Sequence, residues 1–171
     1  DSCRLMCLNL FSFVSDPFTK NAKFDFAKMH EVAVVAQRLM DDMIDIEIEQ
    51  IDKILAKIDS DPESDDAKYA ERNLWQNIKK ACINGRRTGL GITSLGDALA
   101  ALGIRYGPDK SIEVTEEIYK TLAIGSYRSS CILAKERGPF PIFDMNLEKG
   151  HPFLQRIWDA APDVYELYKK Y

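Results

Sequence analysis

The stretch Gly85–Gly107, GRRTGLGITSLGDALAALGIRYG, narrows the possible folds more than any other part of the chain. Glycine has no Cβ, so it tolerates left-handed backbone and lets a neighbouring chain approach closely. Gly89 and Gly91 flank Leu90, and Ser94 with Asp97 three residues later marks a helix start. Leu95, Ala98, Leu99 and Leu102 give that helix an apolar face, and Gly103 stops it. The stretch reads as a Gly-Leu-Gly turn feeding a short packed helix, a hinge between two long helical regions. Arg86–Gly91 also resembles a phosphate loop superficially, because glycines expose backbone N–H groups and arginines pair with anions. It has no Walker lysine with Ser/Thr, and a helix rather than a strand precedes it. Close backbone packing is the better explanation, with Gly85 as the preceding helix's C-cap and Arg86 and Arg87 near its negative end.

On either side the apolar residues recur at helical spacing. Asp25 is an N-cap flanked by Phe24 and Met29 as a hydrophobic staple, and Met29, Ala33, Ala36, Met40 and Met43 continue the pattern. Ile44, Ile48, Ile51 and Leu55 extend it to about Ile58, with a bend allowed near Asp45. Asp61-Pro62 is expected to restart a helix whose buried face is Ala67, Ala70, Leu74, Ile78 and Ala81. Its acidic start, Asp59–Asp66, lacks the spacing of a calcium loop. A third long helix is expected over Ile112–Arg137, with Ile118, Leu122, Gly125, Ser129 and Ile132 on one face. Gly125 and Ser129 are small enough there for another element to pack closely. Gly138-Pro139 ends it, Phe140–Phe143 reads as extended, and His151–Tyr171 holds one or two short helices. Leu8–Val14, aromatic and β-branched before the Ser15–Pro17 turn, reads as a strand.

At 171 residues, 46 % apolar and 29 % charged, the chain can bury a core. It opens without Met and in mid-pattern, so residues 1–171 are read as a single partial domain, internal to a longer protein. A net charge of −4 with interspersed signs argues against nucleic acid as the main partner. No run is long enough to span a membrane, and the four scattered cysteines point to a reducing cytoplasm rather than a stapled secreted domain.

Three constellations could carry chemistry. Asp41-Asp42-Met43-Ile44-Asp45 matches the DDxxD with which helical prenyl diphosphate synthases hold Mg²⁺. Ile46-Glu47-Ile48-Glu49 follows where basic residues are needed, so an exposed acidic face is the better reading. Glu148 and His151 have the step of di-iron helices, but Gly150 and Pro152 break any helix there. Cys3 and Cys7 have no second ligand pair for zinc. His30, beside Glu31, reads as a surface or packing residue.

Taken in order, four segments resemble one family: Ser2-Cys3-Arg4-Leu5 with Asn9-Leu10, Arg38–Asp45, Gly85–Tyr106, and Ala134–Pro141. The pattern is similar to the catalytic subunit of ribonucleotide reductases, above all the adenosylcobalamin-dependent class II enzymes. These carry Ser-Cys-Asn-Leu…Asn-Leu, an Arg-Phe-Leu-Asp-Asn-Val-Ile-Asp helix, an Arg-Lys-Ile-Gly-Leu-Gly turn, and Glu-Arg-Gly before Phe-Pro. Arg4 departs from the pattern by replacing Asn.

The resemblance implies a mainly α-helical part of a ten-stranded α/β barrel, with one or two short strands. It implies conversion of ribonucleoside diphosphates to 2′-deoxyribonucleotides for DNA synthesis. A cobalamin-derived radical makes a thiyl that removes the ribose 3′ hydrogen, and two further cysteines supply electrons as the 2′ hydroxyl leaves. By motif position Cys3 is one of that reducing pair. A dithiol reductant and a homodimeric intact enzyme are also implied. Cys7 matches no family role and, like Cys82 and Cys131, is expected to be a packing cysteine. The Asn-x-Cys-x-Glu radical loop of the family has no counterpart in these residues, so the segment by itself is expected to be inactive. A self-contained prenyl synthase-like enzyme using Asp41, Asp42 and Asp45, or a non-catalytic helical interaction module, is the competing reading.

Overall fold

A computed structural model describes residues 3–171. Its elements in order are β1 (Arg4–Asn9), a 3-10 turn (Leu10–Phe13), β2 (Val14–Ser15), β3 (Lys23–Phe24), α1 (Phe26–Ser60), α2 (Asp65–Gly85) and β4 (Thr88–Thr93). The chain continues through α3 (Leu95–Ala101), α4 (Asp109–Arg137), α5 (Met145–Glu148), α6 (Pro152–Ala160) and α7 (Pro162–Lys170). The expected mainly helical architecture is present. The strands among the described residues are more numerous than expected and are paired: β1 with β4 in parallel, and β2 with β3 antiparallel. None of the helices is long and apolar enough to cross a membrane.

The first strand is displaced from its expected place. It begins at Arg4, and the side chain of Asn9 ends it by accepting a hydrogen bond from the Phe11 N–H at 3.1 Å. That cap folds the aromatic run into a 3-10 turn, which buries Leu10 and Phe13 in the main core. Leu8, Met29, Ala33, Ala36, Ala98, Ile118 and Leu122 complete this core where α1, α3 and α4 meet the sheet.

Helix α1 starts as the pattern requires, with the Asp25 carboxylate accepting from the Lys28 N–H at 2.9 Å. It runs unbroken through Asp45 to Ser60. Met29, Ala33, Ala36, Met40, Ile44, Ile51 and Ile58 are buried along it, whereas Met43 is exposed. Helix α4 crosses α1 at Gly125, where a Cβ would stand 2.8 Å from the Ala33 Cβ and 3.0 Å from the His30 carbonyl oxygen. The small-residue face expected on α4 therefore packs against α1.

Helix α2 differs in both cap and face. Asp61 closes α1, and Ser64 caps α2 by accepting from the Ala67 N–H. Packing against α1 is made by Trp75, Ile78 and Cys82, while Ala70 and Leu74 are exposed. Gly85 is the last helical residue, and Arg86 takes the left-handed C-cap conformation at φ 41°. Close by, Gly138, φ 82°, stops α4 as its sequence position requires. Phe140–Phe143 is a turn closed by the Phe143 N–H on the Phe140 carbonyl, not an extended segment. Helices α6 and α7 then pack Leu154, Ile157, Trp158 and Val164 around Cys131 of α4.

Candidate functional site

The stretch expected to be a Gly-Leu-Gly turn is strand β4, and it makes the site. Thr88, Leu90 and Ile92 are half-buried on the helix side, with the Thr88 hydroxyl accepting from Gln37 of α1 at 2.9 Å. Gly89, Gly91 and Thr93 alternate onto the other face. The register pairs Leu5 with Gly89, Cys7 with Gly91 and Asn9 with Thr93, so these residues share one side of the two-stranded sheet. Arg4 and Leu8 are buried on the opposite side.

Cys3 stands just before β1 on the glycine side and is exposed. A Cβ on Gly89 would lie 3.3 Å from the Cys3 Sγ and 2.6 Å from Leu5 Cδ2, and one on Gly91 would lie 3.5 Å from the Cys7 Sγ. The glycines therefore leave room beside both thiols. Leu5 is 74 % exposed between them, so this sheet face is open along its length. Cys7 is exposed, which corrects its reading as a packing cysteine: period-two alternation puts it on the same side as Cys3. Cys82 and Cys131 are buried as expected. Burial pushes the Cys131 thiol up to about 11, with Arg128 opposing the shift. Ser2 of the Ser-Cys motif lies outside the described residues.

Behind the sheet, arginines tie its strands to α1. Arg4 pairs with Glu47 and donates to the Cys82 Sγ at 3.1 Å. Arg86 donates from Nε to the Asp41 carboxylate at 2.6 Å, from Nη1 to Asp45 at 2.8 Å, and from Nη2 to the Asp41 carbonyl at 3.0 Å. These bonds hold its left-handed backbone just ahead of β4. From the end of α4, Arg137 reaches Asp41, Asp42 and Asp45. Hydrogen bonding to Asp41, then to Asp45, raises the Arg86 pKa against the effect of burial.

The DDxxD carboxylates thus form an ion-paired cluster rather than a bare acidic face, with Asp41 buried, Asp42 half-buried and Asp45 exposed. Their oxygens lie within 4.8 Å of one another, and the two guanidinium groups of Arg86 and Arg137 bridge all three and offset most of their charge. Sequence reasoning missed this clamp because its partners are 41 to 96 positions apart. A cleft of about 840 Å³ adjoins the cluster, lined among others by Gln37, Thr88, Arg137 and Phe140. Glu148 and His151 are joined by a main-chain bond, from the His151 N–H to the Glu148 carbonyl.

A family model described as the ribonucleotide reductase barrel domain matches residues 1–164. The chain belongs to the ribonucleotide reductase family. It is similar to the vitamin B12-dependent ribonucleoside-diphosphate reductase of Mycobacterium tuberculosis, at 29 % identity over 143 residues, 84 % of this chain and 16 % of that protein. The enzyme of the same description from Thermoplasma acidophilum is 29 % identical over 141 residues, 82 % of this chain and 15 % of that protein. The ribonucleoside-diphosphate reductase large chain of Neurospora crassa is 27 % identical over 165 residues, 94 % of this chain and 14 % of that protein. The chain thus spans 14 to 16 % of the length of these relatives. Within the reductase barrel domain, β1 and β4 are neighbouring parallel strands, and α1 and α2 form the crossover between them.

Proposed function

We propose that residues 1–171 are an internal part of one ribonucleotide reductase barrel domain, and that Cys3 is one of the two thiols that reduce the ribonucleotide. The observation that carries this reading is the exposed Cys3 thiol on the sheet face turned away from α1, with Gly89 leaving space beside it. The names of the Mycobacterium and Thermoplasma relatives support a B12-dependent enzyme acting on ribonucleoside diphosphates.

In the proposed reaction the 2′ hydroxyl leaves the ribose as water. Cys3 and a second thiol give up two hydrogens to the substrate and water and close to a disulfide. Abstraction of the 3′ hydrogen belongs to a thiyl on a different cysteine. An external dithiol then reduces the disulfide by exchange, which the exposure of Cys3 permits. Cys7 does not serve as the second thiol. Four residue steps of extended chain take it roughly 13 Å from Cys3, beyond the reach of a disulfide. Cys82 and Cys131 are buried away from the open face, and in the proposed enzyme the second thiol comes from another strand of the barrel, as the family resemblance implies.

Adenosylcobalamin is the cofactor of the proposed enzyme, but the open face does not fit it. Among the described residues its side chains are Cys3, Leu5, Cys7, Asn9 and Thr93 flanking two glycines, and none of them is an imidazole that could ligate cobalt. His30 bonds Arg128 in the α1–α4 seam, and His151 is the N-cap of α6. No step is therefore assigned to the cofactor here, and these residues belong to the reductant side of the chemistry.

Cys3→Ser in the intact enzyme tests the proposal. The expected result is loss of steady deoxynucleotide formation with a dithiol reductant while radical formation persists. Unchanged turnover would remove the role given to Cys3.

A further inference from the structure

The residue following Cys3 is buried, charged and tied to two helices and to the link before β4. The Arg4 side chain is 6 % exposed, pairs with Glu47 of α1, and donates to the Sγ of Cys82 of α2, itself 2 % exposed. Its main-chain N–H donates to the Arg87 carbonyl at 3.2 Å, just ahead of β4. Both contacts run through one guanidinium nitrogen, Nη2, which sits between Glu47 of α1 and Cys82 of α2. Side chains alternate along a strand, and a one-residue slip would turn every one of them to the other face. Anchoring Arg4 inward therefore forces Cys3 outward, onto the face where Gly89 makes room for its thiol.

Other features of the molecule carry less. The carboxylates of Asp41, Asp42 and Asp45 are already matched by Arg86 and Arg137, and Cys7 is a single thiol with no partner of its own on the open face. The Arg4 anchor instead acts on a residue with an assigned reaction.

We infer that Arg4 is a positioning residue for Cys3: its buried contacts to Glu47 and Cys82 lock β1 in the register that presents the Cys3 thiol to the substrate side. This inference rests on the reductant role proposed for Cys3. A lock of this kind acts on the chemical step, because a thiol displaced by a fraction of its reach still allows nucleotide to bind. It is removed most cleanly together with its counter-charge, so that no buried ion is orphaned.

The experiment uses the intact reductase and compares Arg4→Met/Glu47→Gln, Arg4→Lys and Cys3→Ser under steady dithiol turnover, alongside the alkylation rate of Cys3 by iodoacetamide. The double variant is expected to lower kcat about ten- to a hundredfold with the nucleotide KM unchanged, the scale set by misplacing a reacting group. Its Cys3 alkylation rate should change as well. Arg4→Lys keeps a charge facing Glu47 but loses the planar guanidinium that places Nη2 against the Cys82 Sγ, so its kcat should fall less. Unchanged kcat in the double variant, with Cys3→Ser inactive, would overturn the positioning role and leave the Cys3 reading standing. An active Cys3→Ser would remove the underlying reading itself. A loss carried by KM would make Arg4 a substrate-binding determinant and equally overturn the inference. If the double variant does not fold, Arg4→Lys decides the matter: a parental kcat refutes the lock.

Discussion

Cys3, Cys7, Cys82 and Cys131 are the same residue type in four positions, and the backbone sorts them into two pairs. A thiol reagent applied to the native protein should modify Cys3 and Cys7 and spare Cys82 and Cys131 until unfolding, as peptide mapping would show. Cys131 is doubly protected, because burial both covers it and holds it as the unreactive thiol. Gly89 invites a second test. A Cβ there meets the movable end of Leu5 and the Cys3 Sγ, not backbone. Gly89→Ala should therefore leave the melting temperature unchanged or slightly raised, since alanine is the better strand residue by roughly 0.5–1 kcal/mol. Turnover of the intact enzyme should fall as the thiol is displaced. The exposure of Cys7 was legible in principle, since alternation along Arg4–Asn9 puts it on the same side as Cys3. The aromatic run from Leu8 pulled the expected strand four residues too far along and hid that alternation. Arg4 was legible only as a departure from a pattern, because its partners at Glu47 and Cys82 are distant in sequence.

At the scale of elements, α1 joins the core to the site. One side of it buries Met29, Ala33, Met40 and Ile44, while Asp41, Asp45 and Glu47 anchor the arginines that lead into β4 and β1. Its period and caps were plain in the sequence, as was the close approach at Gly125. Gly125→Val should destabilise the fold by about 1–3 kcal/mol, the usual cost of overpacking, read as a shifted denaturation midpoint. Asp41→Ala leaves Arg86 and Arg137 without their shared buried partner. The cost should be about 2–4 kcal/mol, less than for a fully enclosed pair because both guanidinium groups keep some solvent. Strand β4 was misread because glycine is scarce in strands, so Gly-Leu-Gly looked like a turn. The period-two run Thr88-Gly-Leu-Gly-Ile-Thr93 was the available signal. A glycine in a strand marks close approach, and here the approaching atoms are those of Cys3, Leu5 and Cys7.

Over the whole molecule, the C-terminal helices are held to the α1–α4 pair by charge as well as by packing. His30 accepts a hydrogen bond from Arg128 Nε at 3.3 Å, and Arg128 pairs with Asp163 of α7 at 2.6 Å. Burial and then the Arg128 charge lower the His30 pKa from its ordinary 6.5, against opposing pulls from Asp163 and Glu31. The unfolded chain thus binds the proton more tightly than the folded one. The stability contributed by neutral His30 is complete above pH 6.5 and is lost as pH falls through the lowered value. His30→Gln should flatten the fall in unfolding midpoint below that pH. This junction had no sequence signal, since His30 and Arg128 are 98 positions apart. The family, by contrast, was legible from the order of four short segments, and the barrel-domain match over residues 1–164 agrees with it.

In the proposed reaction Cys3 gives up its hydrogen and ends in a disulfide. The most direct measurement takes the prereduced intact enzyme through a single turnover without external reductant, quenches it in acid, and maps disulfides by mass spectrometry. Cys3 is expected joined to a cysteine from another barrel strand, with Cys7, Cys82 and Cys131 still free thiols. Product formed while Cys3 remains a free thiol would contradict it.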